Sequence, residues 1–219
     1  GPVRSARGGS RDGDGRLAAS EPPGRWAGPA RPAGSKPIVF YGTSIVQGGC
    51  AARPGMAYPA ILGRCLDWPT INLGFSGSAR CEPELARVLA ELDPAVYVLD
   101  PLPNMTVDLV TTRLEPFVTT LLQAHPHTPI ILVENLDYPA SKFTSNTRQR
   151  VDPKNLKLRE IHRRLVGAGH KRVLLFPAAK FIGEDGEATV DGVHPTDLGF
   201  VRMADALEPA LKRVLRSSR

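Results

Sequence analysis

The stretch PIVFYGTSIVQGG (residues 37–49) places an apolar run directly before a glycine, a threonine and Ser44. A short, continuous apolar run is typical of a strand that is buried on both faces of a sheet. Four similar runs follow it: TINL (70–73), AVYVLD (95–100), PIILVEN (129–135) and RVLLF (172–176). The five runs predict a parallel sheet with both faces covered.

The segments between these runs have the apolar spacing of helices, with apolar side chains at i, i+3, i+4 and i+7. They are residues 56–66, 83–92, 106–124, 153–166 and 196–215. Strands that alternate with helices predict a three-layer α/β/α sandwich around a five-stranded parallel sheet with flavodoxin-like winding. The predicted domain covers residues 37–219.

The composition of the 219 residues, 42% apolar and 23% charged, is that of an ordinary soluble globular protein. Residues 1–36 differ: they have few apolar side chains, and we predict a disordered tail or linker there. This segment holds seven basic and three acidic residues, so it carries +4 of the net charge of +6 and leaves +2 for the domain. A nucleic-acid-binding function would therefore depend on the tail alone, and we do not expect it.

No apolar stretch approaches the length of a membrane span, and no signal peptide is visible. We expect no membrane insertion, while the compartment stays open between the cytoplasm and a secreted or periplasmic location. The sequence does not determine the oligomeric state. The three cysteines lie far apart without a CxxC pair, which argues against a disulfide framework or a zinc site and predicts small buried hydrophobic residues.

Ligands of doubly wound folds bind beyond the carboxyl ends of the strands. The polar or glycine residues that follow predicted strands are therefore candidates for a site: Ser44, Gly77, Asn104, Glu134 and Asn135. Glu134 and Asn135 match no further pattern, and we assign them no role. Taken alone, Ser44 is better explained as a helix cap or a turn residue.

The segment DGVHPTDLG (191–199) adds an acid–base pair to this set. Asp191 precedes His194 by three residues, and Gly192 allows the tight turn that would bring the carboxylate against the imidazole. Thr196 has the position of a cap for the last helix. The alternative is an exposed histidine in a capping loop.

Two residues could stabilise an oxyanion in a reaction at Ser44. Gly77 could present a backbone N–H, and Asn104 could present a side-chain amide. The alternatives are a turn glycine at Gly77 and an Asx-type helix cap at Asn104.

The serine after the first strand, the glycine after the second, the asparagine after the third and the late D-x-x-H-P resemble the four sequence blocks of the SGNH/GDSL hydrolase superfamily. The resemblance implies Ser44 as nucleophile, His194 as base and Asp191 as its partner. It also implies an oxyanion hole made of the Ser44 N–H, the Gly77 N–H and the Asn104 amide, with Gly74 as the alternative glycine. No metal or other cofactor is implied.

Two departures from the family pattern are Thr43 and Met105, where the family's G-D-S-L and G-x-N-D carry aspartates. They move the sequence away from the lipase and thioesterase branches. The stretches GTSIVQGG (42–49), ARPGMAYP (52–59) and PLPNM (101–105) resemble a bacterial branch of esterases associated with acylated sugars. The implied function is a serine esterase for small acyl or acetyl esters, with a small-molecule substrate. The alternatives are a lipase- or lysophospholipase-type acylhydrolase, a non-catalytic carbohydrate-binding relative, and a nucleic-acid-associated protein that acts through its tail.

Three further features are weaker candidates for the substrate site. Arg53 and Tyr58 could line a pocket for the acyl group or the sugar, although a solvated arginine and a packed tyrosine explain them as well. The polar run SKFTSNTRQR (141–150) has the character of a mobile surface loop or a lid.

Overall fold

A computed structural model of the chain describes residues 36–138, 145–178 and 181–216. Residues 1–35 of the predicted tail and residues 141–144 of the predicted loop lie outside them. Among the described residues, no helix combines the length and the apolar character that a bilayer-spanning segment needs.

The described residues form a five-stranded sheet in which every pair of neighbours is parallel. Its strands are β1 (Ile38–Gly42), β2 (Thr70–Gly74), β3 (Val96–Asp100), β4 (Ile130–Val133) and β5 (Val173–Phe176). The strand order is β2-β1-β3-β4-β5, which is the flavodoxin-like winding that the alternation of strands and helices predicted. The predicted fold class is confirmed.

Seven α-helices accompany the strands within this part of the chain: α1 (Ser44–Gln47), α2 (Tyr58–Leu66), α3 (Pro83–Ala90), α4 (Val107–Leu109), α5 (Glu115–Ala124), α6 (Ser145–Gly167) and α7 (Asp197–Arg216). Two short 3-10 turns, Pro54–Met56 and Leu102–Asn104, precede α2 and α4. A π-helical turn, Val110–Leu114, joins α4 to α5.

Alternate residues of the strands pack into two separate apolar cores, one on each face of the sheet. On β1, Ile38 and Phe40 pack into the core shared with α2 and α7, whereas Val39 and Tyr41 pack into the core shared with α3, α5 and α6. Because both faces of the strand are buried, β1 is apolar at consecutive positions, which explains the run PIVFY. The three layers of the sandwich follow directly from this division.

The start of α6 differs from the prediction. We predicted a helix over residues 153–166 from its apolar spacing, and a surface loop over residues 141–150. The helix instead begins at Ser145 and continues through Pro153. Val151, which precedes the proline, is buried in the core, so tertiary packing outweighs the helix-breaking tendency of Pro153.

The cysteine prediction is wrong for two of the three residues. Cys81 is buried, but Cys50 and Cys65 are exposed. Cys50 lies in the loop after α1, and Cys65 lies on the solvent side of α2 beside Arg64. The sequence neighbours did not indicate these surroundings, because the buried Cys81 stands between two charged residues and the exposed Cys50 between a glycine and an alanine.

The sheet topology places the end of β1 at the switch point of the fold. Gly42, the last residue of β1, pairs with Gly74 of β2 on one side and with Asp100 of β3 on the other. A Cβ atom at Gly42 would lie 2.6 Å from the Asp100 carbonyl oxygen and 2.3 Å from Val46 Cγ2. Glycine therefore lets α1 pack closely against the ends of three strands.

A buried carboxyl lies at this same point. Asp100 is 3% exposed, and the Tyr58 hydroxyl donates a hydrogen bond to its Oδ2 at 3.3 Å. Burial raises the pKa of Asp100 to about 8, because desolvation of the charged form outweighs the opposing effect of the Tyr58 hydrogen bond. The folded protein therefore holds a proton on Asp100 at pH values where the unfolded chain has lost it.

This proton predicts how stability depends on pH. The pKa of Asp100 is higher in the folded state than in the unfolded chain, so its contribution to the free energy of unfolding falls as pH rises from about 4 to about 8. The variant Asp100→Asn carries a side chain of the same shape that does not titrate. Urea unfolding at pH 5 and at pH 8.5 gives the free energy of unfolding of the variant minus that of the wild type. We expect this difference to be at least about 1.4 kcal/mol larger at pH 8.5 than at pH 5. An unchanged difference between the two proteins at both pH values would contradict this account.

Candidate active site

Ser44 begins α1, a single helical turn that follows β1 after one residue. Thr43 caps this turn with its hydroxyl, which accepts a hydrogen bond from the Ile45 N–H at 3.3 Å. Gly48 ends it in the left-handed conformation with φ of 85°, a conformation that glycine adopts without strain. The serine is thereby fixed at the carboxyl edge of the sheet, beside the ends of β2 and β3.

Asp191 and His194 come from a tight turn before α7. The Asp191 carboxylate accepts hydrogen bonds from two backbone N–H groups through Oδ1, that of Val193 at 2.9 Å and that of His194 at 2.7 Å. Its Oδ2 lies 2.7 Å from His194 Nδ1. One carboxylate therefore organises both the backbone of the turn and the orientation of the imidazole.

Backbone hydrogen bonds hold the two ends of this turn together and connect it to the start of α7. Val190 donates its N–H to the His194 carbonyl at 2.9 Å, and Thr196 donates its N–H to the Ala188 carbonyl at 2.9 Å. The Thr196 hydroxyl accepts from the Gly199 N–H, which confirms the predicted cap of α7. Asp197 also contacts the loop after α1, because its Oδ1 accepts a hydrogen bond from the Ala52 N–H at 2.9 Å.

The structure brings Ser44 and His194 into contact across 150 positions of sequence. Ser44 Oγ lies 3.0 Å from His194 Nε2, on the side of the ring opposite Asp191. Serine, imidazole and carboxylate thus form one continuous hydrogen-bonded chain. In this chain the imidazole can accept the serine proton while the carboxylate stabilises the resulting positive charge.

The charge on Asp191 is maintained by its hydrogen bonds. Partial burial raises the pKa of Asp191, but bonds from the His194 N–H, the His194 ring and the Val193 N–H outweigh it and lower the pKa to about 2. The carboxylate is therefore ionised at all pH values of a practical assay. The side chains of His194 and Asp191 are 34% and 51% exposed, so this site opens directly to solvent.

Asn72 of β2 connects the end of that strand to α1. Its side-chain amide donates to the Val46 carbonyl of α1 at 2.8 Å, and its carbonyl oxygen accepts from the Gly74 N–H at 3.0 Å. The Gly74 N–H is consequently engaged within the protein. A Cβ atom at Gly74 would lie 2.1 Å from the backbone nitrogen of Gln47, so this glycine permits the contact between β2 and α1.

Gly77 has a different environment. It is exposed, it has φ of 71°, and a Cβ atom there would contact nothing within 4 Å. Within the described part of the chain, neither the Gly77 N–H nor the Ser44 N–H donates a hydrogen bond. Both groups are therefore available to an incoming oxygen, whereas the Gly74 N–H is not. This favours Gly77 over Gly74 as a donor.

Asn104 lies at the end of the 3-10 turn after β3. Its Nδ2 donates to the Phe75 carbonyl at 3.3 Å, and the Phe75 N–H donates to the Gly42 carbonyl at 2.7 Å. Phe75 therefore ties the segments after β1, β2 and β3 to one another. An amide group has two N–H donors, so one remains for a ligand when the other binds Phe75.

The two weaker candidates from the sequence have different surroundings. Arg53 is exposed beside the Pro54–Met56 turn. Tyr58 is fully buried, with its ring edge-on to Phe40 and its hydroxyl on Asp100. The expectation that Tyr58 lines a substrate pocket is therefore wrong, because an apolar ring at the start of α2 faces the core.

Sequence reasoning missed the structural use of Glu134, Asn135 and Lys154. Glu134 is buried and pairs with Arg159 of α6, at 2.5 Å and 3.1 Å, and Asn135 is bound by Asn155. Lys154 is 4% exposed. It continues the apolar stripe of α6 formed by Leu158, Ile161 and Leu165, and a lysine in such a stripe was the available signal.

Other potential sites do not overlap with these residues. No group of three or more His, Cys, Asp or Glu side chains that could hold a metal occurs in residues 36–138, 145–178 and 181–216. A groove of about 750 Å³ lies beside β5 between α6 and α7, and it includes none of Ser44, Asn104 and His194.

The chain is similar to known proteins in sequence and in fold. The sequence model of the GDSL-like lipase/acylhydrolase family matches residues 35–212. No curated protein sequence matches the chain. A solved structure from Bacteroides ovatus, classed as a GDSL-like lipase, is 41% identical with a TM-score of 0.80, over 83% of this chain and 54% of that one.

Two more distant structures share the fold. The salicylyl-acyltransferase SsfX3 from a tetracycline biosynthetic pathway is 20% identical with a TM-score of 0.71, over 84% of this chain and 56% of that one. A family two carbohydrate esterase from Clostridium thermocellum, solved with cellohexaose, is 17% identical with a TM-score of 0.66, over 93% and 69% of the two chains. The present chain spans about half the length of the Bacteroides protein and of SsfX3.

Substitution should cost more at Gly74, the last residue of β2, than at Gly77 in the turn that follows it. Gly77→Ala adds a methyl group in open space at a positive φ, which costs about 1 to 2 kcal/mol of stability. Gly74→Ala forces a methyl group onto the Gln47 backbone and must displace α1, so we expect a larger loss. Urea unfolding of both variants measures the difference. A Gly74→Ala variant as stable as Gly77→Ala would contradict the close packing of β2 against α1.

Proposed function

The chain belongs to the GDSL-like lipase/acylhydrolase family, and on that premise we propose that it is a serine esterase with Ser44 as its nucleophile. The observation that carries this proposal is the hydrogen-bonded chain from Ser44 Oγ through His194 to Asp191, with contacts of 3.0 Å and 2.7 Å. A serine is a weak nucleophile unless a base removes its proton, and His194 is in contact with it.

In the first half of the reaction, His194 Nε2 takes the proton of Ser44 as Oγ attacks the ester carbonyl. Asp191 holds Nδ1–H of the ring and stabilises the imidazolium that forms. Its low pKa supports this role, since a carboxylate that stays ionised can offset the new positive charge. The imidazolium then gives its proton to the leaving alcohol, and the acyl group remains on Ser44.

In the second half, His194 removes a proton from water, and the water attacks the acyl-enzyme. The carboxylic acid leaves as Ser44 regains its proton from the imidazolium. The exposure of His194 and Asp191 supports this step, because water can reach the imidazole directly.

We assign the oxyanion of both tetrahedral intermediates to the Ser44 N–H, the Gly77 N–H and the Asn104 amide. The two backbone donors make no hydrogen bond within the described part of the chain, and Asn104 keeps one N–H beyond its bond to Phe75. Donors that are already in place lower the barrier without reorganisation, and one such donor contributes roughly 10²- to 10³-fold in rate.

We further propose short acyl esters, including acetylated sugars, as the substrate class. A solvent-open site supports this assignment, because an ester on a large carbohydrate can reach Ser44 without entering a closed cavity. The distant relative from Clostridium thermocellum, a carbohydrate esterase solved with cellohexaose, is compatible with it. Phe75, exposed beside Asn104, offers an apolar surface for a small acyl group.

The nucleophile assignment predicts that Ser44→Ala abolishes hydrolysis of p-nitrophenyl acetate while the fold is retained. We expect a loss of at least about 10³-fold in kcat/KM, since the remaining groups give only background catalysis. Circular dichroism and thermal unfolding check the fold of the variant. Ser78→Ala, which changes an exposed serine of the same edge, is the matched control and should keep full activity. A folded Ser44→Ala protein with wild-type turnover would rule out Ser44 as nucleophile.

The substrate assignment predicts a preference within a panel of esters from acetyl to octanoyl, tested beside acetylated sugars. We expect kcat/KM to fall as the acyl chain lengthens, and acetylated sugars to be hydrolysed. A preference for octanoyl esters would instead indicate a lipase-type acylhydrolase. Binding of carbohydrate without turnover of any ester would indicate a non-catalytic relative of the family.

A further inference from the structure

A polar cluster beside the active edge has no part in the proposed reaction. It joins the segment after β4 to α6 through two connections. Asn135 and Asn155 exchange two hydrogen bonds, from the Asn135 N–H at 2.8 Å and from Asn155 Nδ2 at 3.0 Å. The buried Glu134 carboxylate pairs with Arg159 one turn further along α6. These contacts fix the position of α6 against the carboxyl edge of the sheet.

Lys154 lies next to Asn155 on this anchored part of α6. Its side chain is almost wholly buried, although burial of a charged ammonium group is costly unless hydrogen bonds compensate it. The ammonium group donates a hydrogen bond of 2.8 Å to the carbonyl oxygen of Leu102. The contact spans 52 positions of sequence and connects α6 with the segment after β3.

Leu102 begins the 3-10 turn that ends at Asn104. Its carbonyl oxygen also accepts the Met105 N–H at 3.1 Å, so one oxygen receives both the closing bond of the turn and the Lys154 ammonium. The turn itself is short, and the Asn104 N–H donates to the Pro101 carbonyl at 3.1 Å. A charged donor on the Leu102 carbonyl is a strong restraint on this turn.

We infer that Lys154 is a positioning residue, which acts through the Leu102 carbonyl to hold the turn that presents the Asn104 amide. The inference rests on the proposed function, in which Asn104 donates to the oxyanion. Because an oxyanion donor must be in place before charge develops, a restraint on its turn affects the transition state more than substrate binding. Loss of Lys154 should therefore lower kcat and leave KM nearly unchanged.

The test is a double-mutant cycle with Lys154→Met and Asn104→Ala, assayed with p-nitrophenyl acetate. Methionine keeps the length and apolar stem of lysine but cannot donate to Leu102. We expect Lys154→Met to lower kcat about tenfold with KM changed less than about twofold, since small misplacement of a catalytic group has effects of this order. In the Asn104→Ala background, the same substitution should lower kcat by less than about threefold, because the group it positions is absent.

Lys157→Met is the matched control. It makes the same chemical change one turn along α6, where the lysine forms an ion pair with Glu160. We expect it to keep wild-type kcat. Thermal unfolding reports the stability of every variant. Lys154→Gln, which keeps an uncharged donor on a shorter side chain, should have intermediate kcat, and it replaces Lys154→Met in the cycle if that variant does not fold.

The outcomes distinguish the positioning role of Lys154 from the proposed oxyanion site. Equal losses from Lys154→Met in both backgrounds, with Asn104→Ala itself impaired, would overturn the positioning role and leave the proposed esterase intact. Wild-type kcat in a folded Lys154→Met protein would overturn it as well. Wild-type kcat in Asn104→Ala would instead overturn the proposed oxyanion site, and with it the inference that depends on it.

Discussion

The arrangement of the site depends on the parallel pairing at the end of β1. Gly42 lies between Gly74 and Asp100, so the chain leaves three neighbouring strands at the same edge of the sheet. The absence of a side chain at Gly42 and Gly74 lets α1 pack against these ends with almost no space between them. Ser44, the turn after β2 and the turn after β3 are adjacent because of this packing, and Phe75 joins them through hydrogen bonds to Gly42 and Asn104.

The imidazole reaches Ser44 from a different part of the chain, and its orientation is set locally. Asp191 accepts three hydrogen bonds from a turn of four residues, which fixes the imidazole before any contact with Ser44. The long-range part of the geometry comes from the packing of α7 against α2 and from the bond between Asp197 and the Ala52 N–H. The hydrogen-bonded turn and the packing of α7 together bring His194 against Ser44, although the two residues are 150 positions apart in sequence.

The sequence predicted the features that depend on local patterns, and it missed those that depend on tertiary surroundings. The apolar runs located all five strands, because β1, β3 and β4 are buried along their whole length and the edge strands β2 and β5 keep apolar side chains such as Ile71, Leu73 and Leu175. The Asp–Gly–x–His spacing predicted the contact of Asp191 with His194, because both residues belong to one tight turn. In contrast, α6 continues through Pro153, Tyr58 is in the core, and Cys50 and Cys65 are exposed. Lys154 has meaning only once Leu102 is known to lie beside it.

The central claim is that Ser44 forms a covalent acyl intermediate, and mass spectrometry of the inhibited protein tests it most directly. A fluorophosphonate ester reacts with an activated serine by displacing fluoride, and proteolytic mapping identifies the modified residue. The account predicts a single adduct per chain, located on Ser44, that forms in step with the loss of esterase activity and is absent from Asp191→Asn over the same period. Complete inhibition with the adduct on another residue, or full ester turnover by a protein quantitatively modified at Ser44, would contradict it.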